Sequence, residues 1–111
     1  MPNEGRPTIS THVLDTGTGQ PAADVRVLLW RGGETHDWTG ALTDTRTDSD
    51  GRVRDLLDGR PLEAGSYRLE FVLGDGFFRA LSVWLEVADV SRSYHVPLLR
   101  SPFGVTTYRG S

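Results

Sequence analysis

Short segments in which apolar and polar residues alternate with a period of two, each closed by glycine or proline, restrict this chain more than any other feature. Tyr67, Leu69, Phe71 and Leu73 alternate with Arg68, Glu70 and Val72, and Leu81, Val83, Leu85 and Val87 form a second such run. A period of two sends alternate side chains to opposite faces of a strand. No stretch shows the period of a helix of ordinary length. Turn signals lie at Asp15–Pro21, Gly32-Gly33, Asp48–Gly51, Gly74–Gly76 and Ser101–Gly104, where glycine supplies positive φ and proline presets a reversal. The pattern predicts about eight strands: Ile9–Leu14, Val25–Trp30, Trp38–Arg46, Arg52–Arg54, Tyr67–Leu73, Leu81–Val87, Ser93–Leu98 and Val105–Arg109. The fifth and sixth are predicted core strands, and Leu56–Gly65 a long loop with a helical turn. The expected class is all-β, a sandwich of two antiparallel sheets.

A chain of 111 residues suits one core, hence one domain over residues 1–111, with residues 1–8 expected to be flexible. Charged residues make up 24% and hydrophobic ones 37%, and no apolar run approaches the roughly 20 residues that span a bilayer; no membrane partner is expected. The stretch Met1–Pro7 has no apolar signal segment, so the expected location is cytoplasmic. The absence of cysteine excludes disulfides, thiolate catalysis and cysteine metal sites. The net charge of −3, with arginines scattered singly, argues against nucleic acid, which calls for a clustered basic stripe.

Histidine changes charge near neutral pH without a large shift, and the chain has three. His36 lies in the polar stretch Gly33–Asp37 and suits a solvated loop. His12 shares a strand face with Ser10 and Leu14, and His95 lies between Tyr94 and Val96. Each alone suits a hydrogen-bonded structural role; together they would form a pair able to activate water, but spacing does not say whether they meet. No zinc spacing is present. Arg46–Gly51 has the look of a calcium loop but places Arg46 at the first ligand position and Leu57 at the twelfth, which excludes it. No Gly-x-Ser-x-Gly elbow occurs. Ser111, taken alone, is an ordinary chain end.

Three separated segments change that weighting: Ile9-Ser10-Thr11-His12-Val13-Leu14-Asp15 with Gly19-Gln20-Pro21-Ala22; Thr47-Asp48-Ser49-Asp50-Gly51-Arg52; and Tyr94-His95-Val96-Pro97-Leu98-Leu99 running through Ser101-Pro102 to Tyr108-Arg109-Gly110-Ser111. Together they resemble the 5-hydroxyisourate hydrolases, transthyretin-related enzymes of purine breakdown, over residues 9–111. The terminal tetrapeptide is the discriminating part; the Gly-x-Pro turn and the Asp-Gly-Arg turn are common elsewhere.

The resemblance implies an eight-stranded transthyretin/prealbumin-like β-sandwich whose pocket holds His12, Arg52, His95 and Ser111, with Tyr108 also contacting substrate. It implies a homotetramer, a dimer of dimers with pockets in a central channel, and neither cofactor nor metal. The implied reaction opens a ring amide of 5-hydroxyisourate with water to give 2-oxo-4-hydroxy-4-carboxy-5-ureidoimidazoline. His12 and His95 would deprotonate the water, and Arg52 would bind the ring and the developing oxyanion. Ser111 would hydrogen-bond water or substrate, with Arg109 and Gly110 fixing the strand end. One departure is clear: relatives carry a longer segment, usually with a short helix, where this chain has only Gly74–Arg79, so that helix is expected to be reduced or absent. A transthyretin-like carrier of a hydrophobic hormone is the main alternative, and two imidazoles with a guanidinium argue against it, since burying such groups uncompensated is costly. A generic interaction module would explain the alternation but not the ending.

Overall fold

The structure is a computed structural model that describes residues 5–32 and 40–110. Nine strands follow in order: β1 (Ile9–Asp15), β2 (Gln20–Pro21), β3 (Arg26–Arg31), β4 (Thr43–Arg46), β5 (Arg52–Val53), β6 (Gly65–Val72), β7 (Ala80–Val87), β8 (Tyr94–Ser101) and β9 (Gly104–Thr107). They form two sheets, one ordered β2-β1-β8-β9 with β5 also on β1, the other β4-β3-β6-β7. The expected sandwich is present, with the two-residue β2 added. The part of the predicted third strand before Gly40 lies outside the described residues.

The second sheet is antiparallel throughout, but the first is not, as the alternation had suggested it would be. β1 and β8 run parallel, from Ile9 opposite Tyr94 to Asp15 opposite Arg100. Periodicity encodes which face a residue takes, not the direction of its neighbour. A parallel pair needs a long crossover, and here the connection from β1 to β8 takes in the whole second sheet together with β2 and β5.

The period of two holds along β1 and β6, while in β3 Leu28 and in β8 Pro97 are buried besides the residues in phase. Ile9, Thr11 and Val13 of β1, Val27 and Leu29 of β3, Tyr67, Leu69 and Phe71 of β6, and Val96 and Leu98 of β8 are buried between the sheets. Each fully buried aliphatic or phenyl side chain contributes about 1.5–3 kcal/mol relative to exposure. Thr11, the polar member of this set, donates from Oγ1 to the Val96 carbonyl at 2.6 Å, which removes the cost of an unpaired hydroxyl.

β7 differs from expectation. It ends its sheet, so only Val87 is fully buried, while Leu81, Val83 and Leu85 are half covered. An edge strand has no neighbour to shield one flank. Thr8, the last residue of the segment expected to be flexible, is buried, donates its N–H to Ser93 Oγ at 3.0 Å and its hydroxyl to Asp55 at 2.5 Å. The loop after β5 holds a hydrogen-bonded turn at Leu56–Gly59 that drives Leu56 and Leu57 into the core. Among the described residues there is no helix, and none is long and apolar enough to cross a membrane. Residues 73–79 reverse the chain directly, with Leu73 N–H donating to Arg79 O at 2.8 Å.

Candidate active site

Because Ile9, Thr11 and Val13 point into the core, Ser10, His12 and Leu14 must lie on the outer face of the first sheet, half-buried. On β8 the inward Tyr94, Val96 and Leu98 leave His95 and Leu99 outward. The parallel register sets Ser10 beside His95, His12 beside Pro97 and Leu14 beside Leu99. On the other flank, β5 sets Arg52 beside His12. Beyond β9 the chain returns to the sheet at an isolated bridge between His95 and Gly110. His12, His95, Tyr108 and Gly110 thereby line one depression, floored by Pro97 and Leu99.

Arg52 owes its place to the preceding turn. Asp48 Oδ1 accepts the N–H groups of Asp50 at 2.8 Å and of Arg52 at 3.0 Å. These bonds, that of Arg52 above all, hold the Asp48 carboxyl below its ordinary range; hydrogen bonds to a carboxylate favour its charged form. Gly51 has φ of 75°, and a Cβ there would lie 2.5 Å from Val13 O. Only glycine lets this turn press against β1 and bring Arg52 beside His12.

His95 is held on three sides. Its Nδ1 lies 2.8 Å from Ser10 Oγ. Its carbonyl accepts the Gly110 N–H at 2.7 Å. A Cβ on Gly110 would stand 2.8 Å from its Cδ2, so glycine is needed here for close approach, not for φ. Burial pushes the His95 pKa below the ordinary 6.5, and the charges of Arg52 and then His12 push it the same way. Desolvation and nearby cations both disfavour the imidazolium, so the surroundings of His95 favour its neutral form. That influence also places Arg52 and His12 within electrostatic reach of the ring.

Of the five residues expected in the pocket, four are described. His12, His95 and Tyr108 share the depression, and Arg52 adjoins it through His12. Ser111 lies outside the described residues, as does His36. Arg109 is fixed away from the depression, its guanidinium 4.7 Å from the centre of the Tyr94 ring. Sequence reasoning gave Ser10 no role in the site and Asp48 only a place in a turn. The period of two does place Ser10 on the face of His12, but the strand that brings His95 to it is 85 residues away.

Residues 9–110 match the HIUase/Transthyretin family. The 5-hydroxyisourate hydrolase of Caulobacter vibrioides is 41% identical, over 93% of this chain and 97% of the relative. That of Halalkalibacterium halodurans is 42% identical with the same coverage. These alignments run to 116 and 119 residues against a chain of 111, so the relatives carry inserted residues. Among solved structures, Klebsiella pneumoniae 5-hydroxyisourate hydrolase superposes with a TM-score of 0.80 at 34% identity, over 95% of this chain and 99% of that one. Sea bream transthyretin in complex with thyroxine gives 0.82 at 26% identity, over 92% and 93%. Backbone shape does not separate these two relatives, whereas sequence identity does. With the family match covering nearly every residue and these relatives aligned almost end to end, the chain belongs to the HIUase/transthyretin family.

Proposed function

We propose that this chain hydrolyses 5-hydroxyisourate, opening a ring amide to give 2-oxo-4-hydroxy-4-carboxy-5-ureidoimidazoline in urate breakdown. The observation that carries the reading is that His95 and His12 line one open depression, with Arg52 the register partner of His12. A carrier for an apolar ligand has no use for such a set, and the relatives aligned almost end to end bear the hydrolase name.

In this reading the substrate lies on the floor made by Pro97 and Leu99, against Tyr108. Water attacks the ring carbonyl carbon while His95, assisted by His12, accepts one of its protons. Arg52 binds the oxygen on which negative charge develops, and its permanent charge and forked donors suit that task. The carbon–nitrogen bond then breaks as the nitrogen recovers the proton from the imidazole, and the new carboxylic acid releases its remaining proton to solvent as a carboxylate. From the resemblance alone, Ser111 is assigned a hydrogen bond to water or substrate.

The proposal extends to a homotetramer in the cytoplasm. Support for the assembly alone comes from the largely apolar cleft between the free edges β7 and β9, where Val83, Trp84, Leu85, Tyr94 and Val96 meet Thr107 and Arg109, which suits edge-to-edge pairing. The outer face of the first sheet would then meet its counterpart across a channel. The direct test generates 5-hydroxyisourate from urate and follows its ultraviolet decay. Decay well above the spontaneous rate supports the reading; no acceleration, with thyroxine bound instead, supports a carrier.

A further inference from the structure

We infer that Ser10 is a positioning residue for His95, fixing its ring orientation and keeping the proton on Nδ1 so that Nε2 presents a bare lone pair to the depression. The inference rests on the hydrolase reading for the use made of Nε2, but its geometry stands independently. Ser10 and His95 are register partners on adjacent parallel strands, both facing outward, with Oγ 2.8 Å from Nδ1. The opposite edge of the ring lies against Gly110, where even a methyl carbon would come within 2.8 Å of Cδ2.

A half-turn of the ring would put Cδ2 against the serine oxygen and forfeit the hydrogen bond, so Ser10 selects one of the two orientations. In that orientation Nδ1 is occupied, the Cδ2 edge is closed, and Nε2 is the nitrogen left to meet water. The partner of one ring nitrogen sets the tautomer at the other. A serine oxygen accepting Nδ1–H leaves Nε2 basic; a serine donating to Nδ1 would put the proton on Nε2 and make it useless as a base. The half-buried Ser10 has access to water for its own hydroxyl proton, so accepting from Nδ1 leaves nothing unsatisfied.

The two tautomers predict opposite responses to Ser10→Ala. If Ser10 accepts from Nδ1–H, the bond is strongest when the ring is charged, and losing it lowers the His95 pKa further. If Ser10 donates, it favours the neutral ring, and losing it raises the pKa. Arg52, His12 and Tyr108 face the same ring in both proteins, so the comparison isolates the hydroxyl.

The experiment is nitrogen-15 NMR of the His95 ring across pH in wild type and Ser10→Ala, with turnover of 5-hydroxyisourate measured alongside. The expected result is an Nδ1-protonated ring in wild type, a growing Nε2-protonated fraction in the variant, and a lowered pKa. kcat should fall about tenfold with KM little changed, short of the hundredfold or greater loss expected on removing a general base, and Ser10→Thr should recover most of it. An Nε2-protonated ring in wild type, a raised pKa in the variant, or an unchanged kcat would overturn the inference. Nδ1 protonation in a wild-type protein that does not turn over substrate would overturn the hydrolase reading and leave the Ser10–His95 pairing intact.

Discussion

At the scale of single residues, the site depends on side chains whose neighbours decide their chemistry. His95 is an ordinary strand residue by sequence, and its depressed pKa comes from burial, Arg52 and His12. That depression is also a statement about stability. The folded state resists protonation, so this contribution is complete above about pH 6.5, the unfolded value. It is lost as pH falls through the lower folded value, because the unfolded chain takes up its proton first. Urea unfolding at a series of pH values should show stability falling from about pH 6.5 downward, and His95→Gln should flatten that part of the curve. Asp44, Asp48, Asp75 and Asp89, whose pKa values lie below the ordinary 3.8, act only at more acid pH, so the two windows are separable. His12, Arg52 and His95 were legible in the sequence as candidates. Their convergence was not, since it depends on which strand lies beside which, and Ser10 was hidden because serine on an outer strand face is commonplace.

At the scale of elements, alternation marked the long strands correctly and said less about their surroundings. β6 and β7 carry similar patterns, yet β6 is flanked on both sides and β7 ends its sheet. The parallel pairing of β1 with β8 was equally invisible, although it is the contact that joins Ser10 to His95. Turn chemistry was more legible. Asp48–Gly51 was expected to be a tight turn with a glycine at positive φ, and Gly51 has φ of 75°. The structure adds that Gly51 also packs on Val13, its carbonyl accepting the Val13 N–H at 2.7 Å. Gly51→Ala therefore meets both an unfavourable φ and a clash with fixed backbone, and should destabilise the fold by about 1–3 kcal/mol, read by chemical denaturation. Gly19→Ala, where φ is 74° with open space around it, should cost less, having the strained φ without the clash. The shortened turn after β6 leans on the β8–β9 hairpin through the Phe77 N–H to Pro102 carbonyl bond at 2.9 Å and Arg100 on Asp75 at 2.5 Å, contacts that hold this end without a helix.

At the scale of the whole molecule, the fold alone leaves two functions open, since an enzyme and a hormone-bound transthyretin superpose on it about equally well. Chemistry on the outer face of the first sheet separates them. The proposed tetramer makes that face a channel wall, and sedimentation should give a mass of four chains. Activity per chain should fall when the protein is diluted until it dissociates, whereas constant activity in a monomer would remove the channel from the account. The central claim is that this face hydrolyses 5-hydroxyisourate through the neutral imidazole of His95. Its most direct test is the ultraviolet decay of freshly generated 5-hydroxyisourate at pH 7 with wild type and His95→Asn, both confirmed as folded. The account predicts strong acceleration by wild type and a loss of about a hundredfold or more in the variant; equal rates for the two proteins would contradict it.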